Sequence, residues 1–305
     1  MELSIVVPVY NSSSILSELC LQLVDALSDI DTEIILVDDG SADSSWRVIK
    51  QLAEQIEPVQ GFRLTRNFGQ DNAIMAGLNN SSGFYVAIMD DDLQHSPYDI
   101  LTLLDYVKEN ESDVCYADYS DGKYQAWWKN LGSYLNSKQA EYLIGKPGEI
   151  YLSPFKVISR LVVDSVVNYN GPYPYVDGLI FQSTSSITQI SVKHNSRELG
   201  RSNYSFRKSL SVFMSHTTGF SIVPLRIASI LGLIMAVLGF SLGIYYIFDY
   251  FRSENLIEGW TTLAVLILFI GGMILLSLGL IGEYLGRMYL ANNKKPQFLV
   301  HETTS

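Results

Sequence analysis

The sequence predicts an α/β fold with a mostly parallel sheet covered on both faces, followed by a C-terminal pair of apolar helices. Three observations predict it. Apolar strand-like runs alternate with helix-like stretches over roughly the first hundred residues, a pattern that belongs to parallel sheets with helices on both sides. The strands end in acidic or polar corners. Two long uncharged runs lie near the carboxyl terminus.

The elements follow in order. Leu3 to Tyr10 reads as a strand that runs into the polar turn Asn11 to Ser14, and Ile15 to Leu27 as the helix after it. Glu33 to Val37 is a second apolar strand, closed by Asp38-Asp39-Gly40-Ser41 and followed by a helix from Ser44 to Ile56. Gln70 to Leu78 is helical, Phe84 to Met89 is a strand, and Pro97 to Val107 is the next helix. The third of these strands ends in Asp90-Asp91-Asp92-Leu93-Gln94. Three adjacent carboxylates repel and raise one another's pKa unless a cation neutralises them. Oxygen ligands suit Mg²⁺ or Mn²⁺, and such a site commonly combines one or two carboxylates with the oxygens of a phosphorylated substrate. Open α/β sheets bind ligands at the carboxyl ends of their strands, so a metal–phosphate site is expected at this edge.

Four motifs occur in order: Val7-Pro8-Val9-Tyr10-Asn11, Val37-Asp38-Asp39-Gly40-Ser41, Arg66-Asn67-Phe68-Gly69-Gln70 and Met89-Asp90-Asp91-Asp92-Leu93-Gln94-His95. The set resembles the family 2 glycosyltransferases of GT-A fold. Within them it is similar to the polyprenyl-phosphate branch, that of dolichol-phosphate mannose synthase and the bacterial undecaprenyl-phosphate sugar transferases. The likeness extends to Arg197-Glu198-Leu199-Gly200-Arg201-Ser202-Asn203-Tyr204 and the hydrophobic tail.

The resemblance implies an inverting, metal-dependent transfer of a sugar from a nucleotide sugar, a UDP-sugar first among the candidates, to a polyprenyl phosphate. It places Asp90, Asp92 and Gln94 at the metal and diphosphate, with Mg²⁺ or Mn²⁺ as cofactor. Asp38, Asp39, Asp90 and Asp91, with Pro8 and Tyr10, are the expected nucleotide-sugar contacts. Asp91 stands where the family accepts several small residues. Arg197 matches the arginine of an Arg-x-x-Gly-x-Ser motif and is expected on a phosphate, with Arg201 and Ser202 in the same loop. Lys129 and Ser133, one helical turn apart and so on one face, are the match for the acceptor-phosphate contacts. The catalytic set is therefore Asp92, Asp90, Gln94 and Arg197. A homotetramer is the family precedent. The chain departs from the pattern at Ser12, where glutamate is usual, and at Tyr119, where arginine is usual and Lys123 is a substitute. It departs again at Ser153-Pro154, ahead of Phe155.

Composition excludes several classes. A formal net charge of −11 argues against a nucleic-acid partner, because phosphate backbones reward basic surfaces. No Gly-x-Gly-x-x-Gly follows the first strand, which excludes a dinucleotide-binding dehydrogenase. A haloacid-type phosphatase fails as well, because its first strand would lead into Asp-x-Asp-x-Thr rather than Pro8-Val9-Tyr10. Cys20 and Cys115 are the two cysteines, each in an apolar setting, and read as reduced core residues. The N-terminus is a strand of the fold, so no cleavable signal is expected. A chain of 305 residues is enough for one sizeable core plus a smaller module.

The smaller module is the hydrophobic tail. Mean hydropathy is +0.15, high for a soluble protein, and it is concentrated in Ile227 to Phe248 and Thr261 to Gly282. At ~1.5 Å per helical residue either run crosses the ~30 Å hydrocarbon layer. Small residues such as Gly239, Gly243 and Gly272 suit close helix packing in lipid. The connector Asp249 to Trp260 carries only Arg252, whereas Arg207, Lys208, Arg226, Arg287, Lys294 and Lys295 lie on the outer flanks. By the positive-inside rule both ends are cytoplasmic, which puts a multi-pass protein in a bacterial inner membrane with its catalytic domain in the cytoplasm. Residues 206–223 read as a juxtamembrane amphipathic helix. Lys123 to Ile144 is a second, aromatic-rich candidate. The expected domains are 1–205 (nucleotide-sugar half about 1–120, acceptor half about 121–205), the helix 206–223, a hairpin 224–286 and a cytoplasmic tail 287–305.

The acceptor decides the mechanism. A sugar hydroxyl needs a general base, and Asp177 in Tyr175-Val176-Asp177-Gly178 is the candidate for that alternative. A polyprenyl phosphate is already an anion and needs cations to position it instead. No Gln-x-x-Arg-Trp motif of processive synthases is present.

Overall fold

Strand β1 (Leu3–Val9) is buried along its whole length and lies near the centre of an eight-stranded sheet. The computed structural model describes residues 1–119, 150–171, 173–192, 223–252, 259–293 and 296–304. Strands β2 (Thr32–Asp38), β3 (Val59–Leu64), β4 (Tyr85–Ile88), β5 (Val114–Asp118), β6 (Lys156–Ser159), β7 (Ile187–Ser191) and β8 (Val300–Thr303) complete the sheet. Their order is β7-β5-β6-β4-β1-β2-β3-β8. β1 pairs in parallel with β2 and β4, β2 with β3, and β5 with β7. β6 and β8 run against the rest.

Helices α1 (Leu16–Ala26), α2 (Ser45–Gln55), α3 (Gln70–Asn80) and α4 (Asp99–Glu109) follow β1 to β4 in turn. α1, α2 and α4 each carry an apolar stripe; in α1 it is Leu16, Leu19, Cys20 and Leu23, the i, i+3, i+4, i+7 pattern of a helix facing a core, whereas α3 is buried all round from Asn72 to Leu78. α3 sits close on the sheet because Gly77 has no side chain: a Cβ there would come within 2.3 Å of Val6 Cγ1. α5 (Arg160–Val167) and α6 (Val176–Ser183) follow β6. Both cysteines are free and buried, and burial pushes the Cys20 thiol up to about 12.

The chain divides into two compact units, Met1–Asn203 with Asn293–Ser305, and Tyr204–Asn292. In the second, α7 (Val223–Arg252) and α8 (Trp260–Asn292) are longer than the apolar runs read from sequence. Both are long and apolar enough to cross a membrane, with the strongest windows at Ala228–Tyr245 and Phe269–Gly286. Their apolar side chains stand outward: Leu233, Phe240 and Leu275 are each at least two-thirds exposed. A buried core hairpin of a soluble protein would hide them.

The segment from residue 287 differs from the expected tail. α8 continues to Asn292, and the chain then rejoins the sheet as β8, antiparallel to β3. The expected helix 206–223 and the Lys123 to Ile144 segment lie outside the described residues, apart from Val223.

Candidate active site

Parallel pairing brings the ends of β1, β2 and β4 to one edge, where the two acidic corners meet. β4 stops at Ile88, opposite Val6, and the acidic run begins two residues later. Each of its carboxylates has a different partner. Asp90 Oδ1 accepts from Gln70 Nε2 at 2.7 Å, at the start of α3. Asp91 Oδ2 accepts from the Tyr10 amide at 3.2 Å, and Asp92 Oδ1 from the Gln94 amide at 3.2 Å. Leu93, inside the turn, has φ 56°, and Asn11, in the facing loop, also has φ 56°. Left-handed backbone at a non-glycine residue stores roughly 1–3 kcal/mol of strain and gathers at functional sites.

Burial, and then the neighbouring Asp92 and Asp91, push the Asp90 carboxyl up to about 6; Lys156 and the Gln70 bond pull the other way. Asp91 is also raised, by burial, against hydrogen bonds from Ser12 and Tyr10. A cation placed here would relieve this repulsion. Among the described residues no three His, Cys, Asp or Glu side chains converge as a complete metal cage. The side-chain oxygens of Asp90, Asp92 and Gln94 are donors of the kind that suits a hard divalent ion.

The second corner is tied to the loop between β3 and α3. Asp39 is buried, and its Oδ1 and Oδ2 accept the amides of Phe68 at 2.7 Å and Gly69 at 2.9 Å. Burial raises its carboxyl, and these two amides work against the rise. Asp38 is fully buried, accepts the Ser41 amide at 3.0 Å, and lies 3.3 Å from Arg63 Nε. Gly40 between them has φ +66°, and a Cβ there would fall 2.5 Å from the Arg66 carbonyl carbon. Only glycine fits so close an approach. Pro8 is buried within β1, opposite Val37. Val6 accepts from Met89 and Val9 from Asp39, so strand alternation turns the Pro8 nitrogen to the β4 side. β4 has already ended there, and no ladder bond is lost. Tyr10 is half exposed above the acidic corner.

Residues 4–166 match the family model Glycosyl transferase family 2, and residues 223–288 match GtrB C-terminal hairpin. The chain belongs to glycosyl transferase family 2. It is 31% identical over 312 residues to undecaprenyl-phosphate 4-deoxy-4-formamido-L-arabinose transferase of Enterobacter sp. (strain 638), covering 100% of this chain and 94% of that protein. The protein of that name from Sodalis glossinidius (strain morsitans) is 32% identical over 305 residues, covering 98% and 93%. Among solved structures, glucosyl-3-phosphoglycerate synthase of Mycobacterium tuberculosis with uridine diphosphate shares the fold. The TM-score is 0.50 at 17% identity, covering 70% of this chain and 78% of that one.

This glycosyltransferase of GT-A fold carries further residues at the site that sequence reading missed. β6 runs antiparallel, so its first residue, Lys156, arrives at the edge where the parallel strands end, opposite Ile88 and Tyr116. Lys156 is buried and ion-paired with Asp177 at the start of α6. Tyr116 donates its hydroxyl to the same Asp177 oxygen at 2.8 Å, and the ammonium lies 5.1 Å from the Tyr116 ring centre. Asp71 accepts the Val176 amide at 3.3 Å, and burial and then Asp177 push it up to about 6. His95 is stacked between Tyr119 and Phe155, both at 5.3 Å, which anchors the far end of the acidic motif. Tyr119, where the resemblance led one to expect arginine, is part of an aromatic stack. A lone lysine in a short strand reads as a solvated residue, and the antiparallel turn-in of β6 has no sequence signature. Lys129, Ser133, Arg197, Arg201 and Ser202 lie outside the described residues.

Proposed function

We propose that this transferase moves a sugar from a nucleotide sugar, a UDP-sugar, to a polyprenyl phosphate, undecaprenyl phosphate, with inversion at the anomeric carbon. The reaction is a single displacement. An acceptor phosphate oxygen forms a bond to the anomeric carbon as the bond from that carbon to the nucleoside diphosphate breaks. The product is a lipid-phosphate-linked sugar for cell-envelope glycans. The near full-length likeness to two undecaprenyl-phosphate transferases supports this acceptor.

The observation that carries the reading is the state of Asp177. The carboxylate nominated as general base for a hydroxyl acceptor is held by Lys156 and Tyr116. A base so engaged is poorly placed to take a proton. A phosphate acceptor arrives deprotonated and needs none.

In this reading Asp38 and Asp39 shape the nucleotide pocket with Pro8 and Tyr10, and Asp91 fixes Tyr10 over it. Asp90, Asp92 and Gln94 hold Mg²⁺ or Mn²⁺, which when bound neutralises charge on the departing diphosphate. Gln70 orients Asp90 for that task, and His95 steadies the turn. Lys129, Ser133, Arg197, Arg201 and Ser202 supply polar and cationic contacts to the phosphates. α7 and α8 span the membrane as a hairpin, with the catalytic unit on the cytoplasmic side.

The test is mass spectrometry of lipid products after incubating the purified protein with undecaprenyl phosphate and a panel of nucleotide sugars. A hexosyl- or pentosyl-phosphoundecaprenol is expected. Transfer to sugar hydroxyls, with none to the lipid phosphate, overturns the proposal.

A further inference from the structure

The carboxyl-terminal strand β8 sits on the outer side of β3, the strand that carries Arg63. In register, Asp38 of β2 stands opposite Arg63 of β3, and Arg63 stands opposite Glu302 of β8. Residues directly opposite in a sheet point to the same face, so an acid, a base and an acid form one row across three strands. Helix α2 holds the outer end. Trp46 Nε1 donates to Glu302 Oε2 at 2.7 Å, and Lys50 Nζ to Glu302 Oε1 at 3.2 Å. At the inner end, Asp38 Oδ2 is buried and makes no hydrogen bond among the described residues. Arg63, 3.3 Å away, supplies the compensating charge, although its own side chain is one-third exposed and open to solvent. A buried carboxylate that loses its cation is strongly disfavoured.

The same strand also reaches the loop that Asp39 holds. The Leu299 carbonyl accepts the amide of Thr65, the residue before Arg66-Asn67-Phe68-Gly69. Thr304 accepts the Gly61 amide on its hydroxyl at 2.7 Å and donates its own amide to the Gly61 carbonyl at 2.9 Å. β3 would otherwise be an edge strand with unpaired backbone groups. Pairing with β8 fixes where β3 ends, and so where the amides of Phe68 and Gly69 meet Asp39.

We propose that Glu302 is a positioning residue for the donor site: clamped by Trp46 and Lys50 of α2, it pins β8 against β3 and so presets the Asp38–Asp39 corner that receives the nucleotide. This rests on reading that corner as the nucleotide pocket. Glu302 acts through the pairing of β8 with β3 and touches no reacting atom. The segment that carries it follows α8 in the chain and belongs to the same compact unit as β3.

The experiment uses the full-length protein in detergent, as wild type and as E302A, E302Q and W46F. Amide hydrogen exchange over residues 63–70, without ligand, reads the corner directly, with β1 and β4 as internal controls. E302A is expected to speed exchange at Phe68 and Gly69 by about tenfold while β1 and β4 stay protected. W46F, which removes only the indole donor, is expected to show a smaller change of the same kind. E302Q, which keeps an acceptor for Trp46, is expected to lie between E302A and wild type. Titration with UDP, GDP and dTDP then gives affinity, and E302A is expected to weaken the preferred nucleotide about tenfold with kcat changed less than about twofold. Unchanged exchange at Phe68 and Gly69 in both E302A and W46F overturns the proposal. So does a loss of kcat with nucleotide affinity intact. A wild-type protein that binds none of the three nucleotides overturns the pocket reading instead, and the exchange data still decide whether Glu302 sets the corner.

Discussion

Lys156 and Asp177 form a buried ion pair at the point where an antiparallel strand delivers its first residue to the sheet edge that carries Asp90. The ammonium is the cation shared by Asp177, Asp71 and Asp90, since it lowers the pKa of the latter two. Removing one partner of a buried pair leaves the other uncompensated, which costs about 3–5 kcal/mol. Lys156→Met is therefore expected to destabilise the catalytic unit on that scale. The double variant Lys156→Met with Asp177→Asn is expected to recover a large part of the loss. Denaturant unfolding followed by tryptophan fluorescence checks both.

The acceptor chemistry separates three variants. On folded, membrane-extracted protein, Asp177→Asn is expected to keep most of its activity, because no proton has to leave a phosphate acceptor. Lys129→Ala and Arg197→Ala are expected to lose activity, mainly through weaker binding of acceptor or diphosphate. A dead Asp177→Asn beside two active cation variants would establish the hydroxyl-acceptor chemistry in its place.

Divalent metal is expected to be required. Chelation with EDTA should abolish turnover, and Mg²⁺ or Mn²⁺ should restore it. Asp92→Asn is expected to lower the rate by at least ~10²-fold, the scale of a lost electrostatic contact at a developing charge. Full turnover in chelator is the result that excludes this role for the acidic corner.

Stability should carry the signature of Asp71. Its pKa is about 6 in the folded chain against an ordinary 3.8, with burial the main cause. Between those values the folded state holds the proton more tightly than the unfolded state does. Stability therefore falls as pH rises from about 4 to about 6 and levels off above. Asp71→Asn removes the titration, so it should exceed wild type by about 3 kcal/mol well above pH 6 and match it near pH 4. Melting curves of the two proteins across this range test the sign; a constant difference counts against it.

Membrane topology follows from the flanking charges. A cysteine at Glu254 is expected to react with a membrane-impermeant thiol reagent in intact cells, and one at Ser305 only after lysis. Cys20 and Cys115 are buried, which keeps the background low. Equal labelling from one side would show that the apolar helices do not form a spanning hairpin.

The parts of the fold legible in sequence are those with continuous apolar strands. β1, β2 and β4 are buried on both faces, so their composition alone declares them, and the acidic corners after β2 and β4 mark the candidate site edge. The first four helices fall within two residues of their expected limits, three of them because an apolar stripe faces the sheet and α3 because its residues from Asn72 to Leu78 are all buried. Lys156 was not legible, because its role depends on the reversed direction of β6. β8 was not legible either. Val300-His301-Glu302-Thr303 is short and polar, as edge strands are, and its partner lies at the other end of the catalytic unit. Asp38 and Asp39 were readable as a functional corner, but their tie to Arg63 and to the Phe68 and Gly69 amides comes only from the packing of β3 and its loop.

The position of β8 also sets an order of events during synthesis. Trp46 and its partner Glu302 are 256 residues apart, so the sheet cannot close until Glu302 has left the ribosome. By then both apolar helices have been made. Contacts of such long sequence separation form late and slowly, and until they form, β3 remains an open edge. The nascent transferase therefore reaches its finished donor site only after its apolar hairpin has been synthesised. A chain truncated anywhere in or before that hairpin is left with an incomplete sheet.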